Sequence, residues 1–321
     1  MSRATATPGR ATRDAYRESL LPLLARHPEL ICLDSDTGLF GTEFAACAGE
    51  QYLNLGIAEH NLMGMAAGLA ASGRVPFVNT MAAFATSRAL EFIKIDIAYN
   101  RLPVRIMATH GGLAAGHLGP THQALEDLAV LRVLPGMTVV VPADAAATEA
   151  FVAQSVGLDG PLYVRLGRKA TPPLPAAAAP VIGRAQTLRH GGDVVLACCG
   201  PYPVLACLAA ADTLAGRGIE ATVLNLHTLR PFDTAALVAA AGPARLVVTV
   251  EEHWRGGGLG GAVAETLAEA APTRVLRLGM PDQFVDTVGN HEYLLDQYGI
   301  TAEQVVNAVV TALSPERTQV R

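Results

Sequence analysis

Short apolar runs alternate with longer segments of helical spacing along most of the chain. Residues 30–33, 52–55, 76–78, 104–109, 138–141 and 162–165 read as strands. Between them, 11–26, a segment opening at Glu59, 84–98, a stretch holding Leu125, Leu128 and Leu131, and 144–156 read as helices. Leu20, Leu21, Leu23 and Leu24 mark the inner side of the first helix, and Pro28 its end. Apolar strands separated by helices predict a mostly parallel sheet covered on both faces. A Pro/Ala linker, TPPLPAAAAP at 171–180, interrupts the pattern, which then resumes. Strands are expected at 194–198, 220–225, 246–250 and 274–278, and helices at 203–215, 234–241, 260–270 and 302–313. The expected fold class is α/β with two domains: a disordered 1–10, a first domain at 11–170, a linker at 171–185, a second domain at 186–314 and a tail at 315–321.

Composition narrows the setting. The chain has 321 residues, half of them hydrophobic and 17% charged, enough for two sizeable cores. A net charge of −5, without a basic block or interleaved aromatics, argues against a nucleic-acid partner. Cys32, Cys47, Cys198, Cys199 and Cys207 lie in apolar segments without CxxC spacing and read as buried thiols of a reducing compartment. The N-terminus has no apolar signal-like core, and no long uncharged apolar run suggests a membrane span. A cytoplasmic protein is expected.

The most unusual stretch is NLGIAEHNLMGMAAGLAASG, residues 54–73. Its many Gly and Ala residues suit close helix packing, yet Glu59 and His60 sit in its middle. Burying a carboxylate there is costly unless something pairs with it. Glu59 is either a helix-start acid favoured by the dipole or a group with a chemical task. The loop DSDTG, which holds Asp34 and Asp36, follows the first strand, and HGGLAAGHLGPTHQ follows the fourth. Both lie at the carboxyl edge of the expected sheet, where ligands bind in open α/β folds.

These residues are familiar. NLGIAEHNLMGMAAGLAASG, VPFVNTMAAFATSRALEFIKIDIAYN and ATHGGLAAGHLGPTHQALEDLAVLRVLPGMTVVVPAD resemble the pyrimidine-binding domain of transketolases. LHTLRPFD and EEHWRGGGLGG resemble the transketolase C-terminal domain, so the likeness runs from about Arg10 to Leu313. Full-length transketolases add an N-terminal domain whose GDG motif helps hold the diphosphate of thiamine diphosphate through Mg²⁺. This chain has no GDG. The resemblance therefore implies the C-terminal subunit of a split transketolase. An N-terminal partner subunit would carry Mg²⁺ and the diphosphate site, thiamine diphosphate would be shared between the two, and the assembly would be α2β2. No metal ligand is assigned to this chain.

By this resemblance Glu59 matches the acid that meets N1′ of the aminopyrimidine and helps its amino group take the proton from C2 of the thiazolium. Phe84 matches a ring that stacks on the pyrimidine. The aromatic positions three residues to either side are here Met81 and Ser87. Met can still pack on a ring; Ser cannot do so in the same way. Asp36 matches an acid near the cofactor and the subunit contact, and Asp34 stands where some transketolases have a phosphate-contacting Ser. His110 and His122 match catalytic histidines of the substrate channel. Arg13 and Arg168, with His110, match the phosphate end of a sugar phosphate, for which Arg is well shaped. His253 reads as part of a tight loop and subunit contact; His227 and Arg230 read as structural.

Transketolases usually read GEDGPTHQ, and that Asp recognises the sugar's C2 hydroxyl. Here the two acids are replaced by His117 and Leu118. Leu neither donates nor accepts a hydrogen bond, so the acceptor is expected to be an aldehyde lacking the adjacent hydroxyl, such as a semialdehyde of specialised metabolism, free or carrier-tethered. The other reading is a shifted loop in which His117 takes the Asp's part. The resemblance as a whole points to transfer of a two-carbon ketol unit from a ketose phosphate to an aldehyde. The rivals are the β subunit of a 2-oxoacid dehydrogenase-like thiamine enzyme and a catalytically silent partner-stabilising subunit.

Overall fold

The computed structural model describes residues 9–175 and 179–314. The expected disorder of 1–8 and the tail at 315–321 lie outside the described residues, as do 176–178 of the linker. Residues 9 and 10 are tied down rather than loose: Arg10 bridges to Thr171 and pairs with Glu18 and Glu149.

The strands in chain order are β1 (Leu30–Asp34), β2 (Tyr52–Asn54), β3 (Val75–Met81), β4 (Arg105–Thr109), β5 (Thr138–Val140), β6 (Leu162–Arg165), β7 (Gln186–Arg189), β8 (Val194–Cys198), β9 (Ala221–Asn225), β10 (Thr228–Arg230), β11 (Leu246–Trp254) and β12 (Val275–Met280). Two sheets result, ordered β10-β5-β6-β4-β3-β1-β2 and β12-β11-β8-β9-β7. All neighbours are parallel except the edge pairs β10·β5 and β7·β9. The central strands β1, β4, β6 and β8 are buried along their whole length. That is why LICLD, RIMAT, LYVR and VVLAC read as continuous rather than alternating apolar runs.

Helices cover both sheets, and several start where a polar side chain caps them. Asp144 accepts from Ala147 N, Asp233 from Ala236 N, Asn290 from Tyr293 N and Thr301 from Gln304 N. The helices Thr234–Ala241 and Ala302–Leu313 have the expected bounds.

Several elements differ from the sequence expectation, among them the unforeseen β7 and the helix His291–Gln297. The long helix at 84–98 is broken into Ala82–Ser87, Leu90–Phe92 and a π-helical Ile93–Ala98. The break follows Arg88, where Ala89 leaves helical geometry at φ −103°, ψ 12°. Cys47 is exposed rather than buried. It lies on an unforeseen helix, Thr42–Ala48, that buries only Phe44 and Ala48. Finally, β10 lies in LHTLRPFD, where no strand was expected. It leaves the second half of the chain to extend the first sheet at β5, and Val141 N donates to His227 O at 2.7 Å.

In the first sheet the chain steps from β1 to β2 on one side and then to β3 on the other. The topological switch therefore falls between β1 and β3, and the loops beyond their carboxyl ends form the crevice where ligands bind in such folds.

Candidate active site

Two clusters of side chains lie at the carboxyl edge of the first sheet. The first is built around Glu59, the opening residue of the Glu59–Ala71 helix that follows β2. This helix is rich in Gly and Ala and buries Leu62, Met63, Ala66, Ala67 and Ala70. Glu59 is carried in with them and is only 3% exposed. Its charge is met by Arg88, whose Nη1 donates to Oε2 at 3.1 Å. The same guanidinium lies over the face of Phe84, 4.1 Å from the ring centroid. Phe84 and Arg88 are one helical turn apart, which brings their side chains to the same face. Met81 ends β3 and is half-buried beside the start of this helix. Ser87 is exposed and donates to Glu126 instead, at 3.3 Å.

Nothing in the sequence pattern singled out Arg88. The available signal was its place four residues after Phe84, as the basic side chain of an otherwise uncharged run from Val75 to Leu90.

The second cluster is basic. His110, at the end of β4, is buried and held at φ +60°, a region that non-glycine residues rarely occupy. Such strain costs ~1–3 kcal/mol and gathers at functional sites. Burial first, then the charges of Arg13 and Arg168 and the neighbouring His117 and His122, push His110 down to about 4. It is therefore a neutral imidazole at ordinary pH. Arg13 is half-buried, and its pKa is lowered by burial despite Asp14 beside it. Arg168 Nη1 lies 3.1 Å and 3.0 Å from the two ring nitrogens of His117. Leu118, the next residue in the Gly116–Leu118 turn, is 43% exposed. His122 joins the clusters: its ring meets Phe84 edge-on, with centroids 5.1 Å apart.

The two acids at the carboxyl end of β1, Asp34 closing the strand and Asp36 in the loop after it, behave differently from each other. Asp34 is buried and accepts from Thr37 Oγ1 at 2.8 Å and Tyr52 Oη at 3.3 Å; burial raises its pKa. Asp36 is exposed and takes the left-handed conformation at φ +60°.

A buried polar network, unforeseen from the sequence, holds the loop between the clusters. Glu252 on β11 accepts from Leu113 N at 2.6 Å and pairs with His291 Nε2 at 2.7 Å. Gly112, at φ +64°, passes so close that a Cβ there would lie 2.3 Å from Glu252 Oε1. Beneath it, Asp127 pairs with Arg165 at 3.0 Å and accepts from Tyr163 Oη at 2.6 Å. His253 is wholly buried, taking Ala129 N at 3.3 Å and giving Nδ1 to Trp254 O at 2.7 Å. The glycine-rich start of the Leu259–Ala270 helix is already filled by Glu251, which accepts from Leu259 N and Gly260 N at 2.6 Å and 2.7 Å. His227 packs on Phe151, and Arg230 bonds the Arg132 carbonyl at 3.0 Å.

With this geometry in place, the comparisons with known proteins are decisive. Residues 9–173 match the transketolase pyrimidine-binding domain and 183–305 the transketolase C-terminal domain. The chain belongs to the transketolase family. It is 38% identical over 299 residues to the 6-deoxy-6-sulfo-D-fructose transketolase subunit SqwH of Clostridium sp. (strain MSTE9), covering 92% of each chain. It is likewise 38% identical over 299 residues to one subunit of the apulose-4-phosphate transketolase of Phocaeicola vulgatus, covering 92% of this chain and 95% of that one. A solved split-gene transketolase, described as an inactive β4 tetramer, superposes with a TM-score of 0.85 at 42% identity, over 95% of this chain and 98% of the other.

Transketolases depend on thiamine diphosphate, and the first cluster fits its pyrimidine end. A planar cation already donates an N–H to Glu59 while stacked on Phe84. A protonated aminopyrimidine is another planar group able to do both. Among the described residues, no group of three or more His, Cys, Asp or Glu could hold a metal ion. No helix among them is long and apolar enough to cross a membrane.

Proposed function

We propose that this transketolase is the C-terminal subunit of a two-chain enzyme that moves a two-carbon ketol unit from a ketose phosphate to an aldehyde. The carrying observation is the buried Glu59 beside Phe84, joined through His122 to a basic cluster. The first suits a protonated heterocycle and the second an anion.

When bound, thiamine diphosphate supplies the carbon nucleophile that the protein lacks. Glu59 holds the proton at N1′ of the pyrimidine, in a pocket its own helix keeps dry. Phe84 and Met81 fix the ring's plane, and Asp36 faces the subunit contact. Arg13 and Arg168, with His110 and His117, bind the donor's phosphate by charge-assisted hydrogen bonds. His110 enters as a neutral imidazole, able to accept and return a proton of a substrate hydroxyl, with His122 between phosphate end and pyrimidine. Thr37 and Tyr52 hold the Asp34 carboxylate in place at the end of β1.

Leu118 presents an apolar side chain where a hydroxyl-reading acid is usual, and His117 is engaged by Arg168. The acceptor aldehyde accordingly lacks a hydroxyl next to its carbonyl. Comparing kcat/KM for a 2-hydroxyaldehyde and its 2-deoxy analogue tests this; a strong preference for the hydroxylated compound refutes it.

Mg²⁺ and the diphosphate grip belong to a GDG-bearing N-terminal partner subunit in an α2β2 assembly. The relatives named as transketolase subunits and the solved inactive β4 tetramer support this division. Reconstitution tests it: this chain, the partner, thiamine diphosphate and Mg²⁺ are mixed, with each omitted in turn. Two-carbon transfer that requires both chains is the expected result. Activity from this chain alone would overturn the division of labour, and a complex that binds no cofactor would favour a silent, partner-stabilising subunit.

A further inference from the structure

We propose that Arg88 occupies the pyrimidine's place in the unpaired chain and has to leave it before the cofactor can enter. This rests on the assignment of Glu59 and Phe84 to the pyrimidine. The guanidinium makes both contacts that assignment gives to the heterocycle. It donates to the Glu59 carboxylate at 3.1 Å and lies over the Phe84 ring, 4.1 Å from its centroid. A pyrimidine on the same face of Phe84, with its N1′ proton toward Glu59, would overlap it.

Chemistry explains why the empty site needs such an occupant. Among the described residues, Arg88 is the side chain that bonds Glu59, and a buried carboxylate without a partner is strongly destabilising. A protonated pyrimidine satisfies the same carboxylate, so arginine and cofactor compete for it. The exit is short. The side chain of Arg88 is 45% exposed while that of Glu59 is 4% exposed, so the guanidinium reaches in from the mouth. The Ala82–Ser87 helix ends just before it, and helical geometry is interrupted just after, at Ala89. Rotation of one side chain toward solvent vacates the pocket without moving the Glu59 helix.

The consequence is an apparent cofactor affinity lowered by the fraction of chains whose pocket is filled from within. The test is the Arg88→Ala variant, with Arg88→Lys alongside as a milder change that keeps the charge but loses the stacking plane. Thiamine diphosphate binding to the two-chain complex with Mg²⁺ is measured by calorimetry, and the melting temperature of the free subunit is recorded. Arg88→Ala is expected to lower the melting temperature of the free subunit and to tighten cofactor Kd by about fivefold. Arg88→Lys is expected to fall between it and the wild type, and decides the matter if the alanine variant does not fold. An unchanged or weakened Kd in the variant that folds overturns the proposal. Glu59→Gln separates the two ideas. If it retains full transfer activity, the pyrimidine assignment itself fails. If it is inactive while Arg88→Ala leaves Kd unchanged, only the role of Arg88 fails.

Discussion

The acid pocket and the basic cluster share one sheet edge yet solve opposite electrostatic problems. Around Glu59, a single charge is buried in a wall of Ala, Gly and Leu and balanced by one cation at the mouth. Around His110, two arginines and two further histidines gather. Repulsion there is limited in two ways. Burial keeps His110 neutral, while Arg168 is half-buried and His117 exposed to water. The first arrangement strengthens the attraction between one carboxylate and one cation by removing solvent. The second makes many weak attractions additive, which suits a mobile, highly charged group such as a phosphate.

Substitutions break this contrast in graded ways. The largest effect is expected for Glu59→Gln in the two-chain complex, which keeps size but loses the charge. Transfer activity should fall by about 100-fold or more, measured as kcat at saturating donor. Next, Arg168→Ala and Arg13→Ala should each raise KM for a phosphorylated ketose by about 10- to 100-fold, while KM for the unphosphorylated sugar moves little. Equal losses for both sugars would show that these arginines do not read phosphate.

A smaller effect concerns pH. Burial pushes His110, His227 and His253 down to about 4 from the usual 6.5. Between those values the three rings bind more protons unfolded than folded, so their contribution to stability rises with pH through the window and is lost as pH falls from 6.5 toward 4; Glu251, which burial raises to about 7, opposes them with a single group. Urea unfolding of the free subunit at several pH values should show that slope. His227→Gln, which removes one titrating ring that is not among the groups acting on His110, should make it shallower. The smallest effect is expected for Ser87→Ala. It points to Glu126 rather than into the pocket, so stability should change by less than about 0.5 kcal/mol and cofactor Kd should stay constant.

Much of this architecture was legible in the residues. Continuous apolar runs exposed the buried parallel strands, and one acid in a run of small residues drew attention to Glu59, which is buried. The pieces that escaped depend on distant partners. β10 is a strand only because β5 offers it an edge. The break after Arg88 interrupts a segment whose apolar spacing is helical throughout. The role of Arg88 appears only when Glu59, 29 residues earlier in the chain, is brought against it. Glu252 and His291 likewise come from separate elements of the second half to pin Leu113 in the first. Periodicity records which face is buried; it carries no record of which charge a buried charge will meet.

The excursion of β10 into the first sheet also governs how the molecule can be cut. The stretch between the two matched family segments, around residues 174–182, looks like a natural place for a protease or a cloning boundary. A fragment ending there would keep Glu59, Phe84 and Arg88 but leave β5 with a row of unpaired backbone donors and acceptors. Bare edges of that kind recruit other chains. Such a fragment is therefore a candidate for aggregation rather than a minimal cofactor-binding module, and the few residues from Thr228 to Arg230 act as a clasp that makes both halves inherit one another's stability.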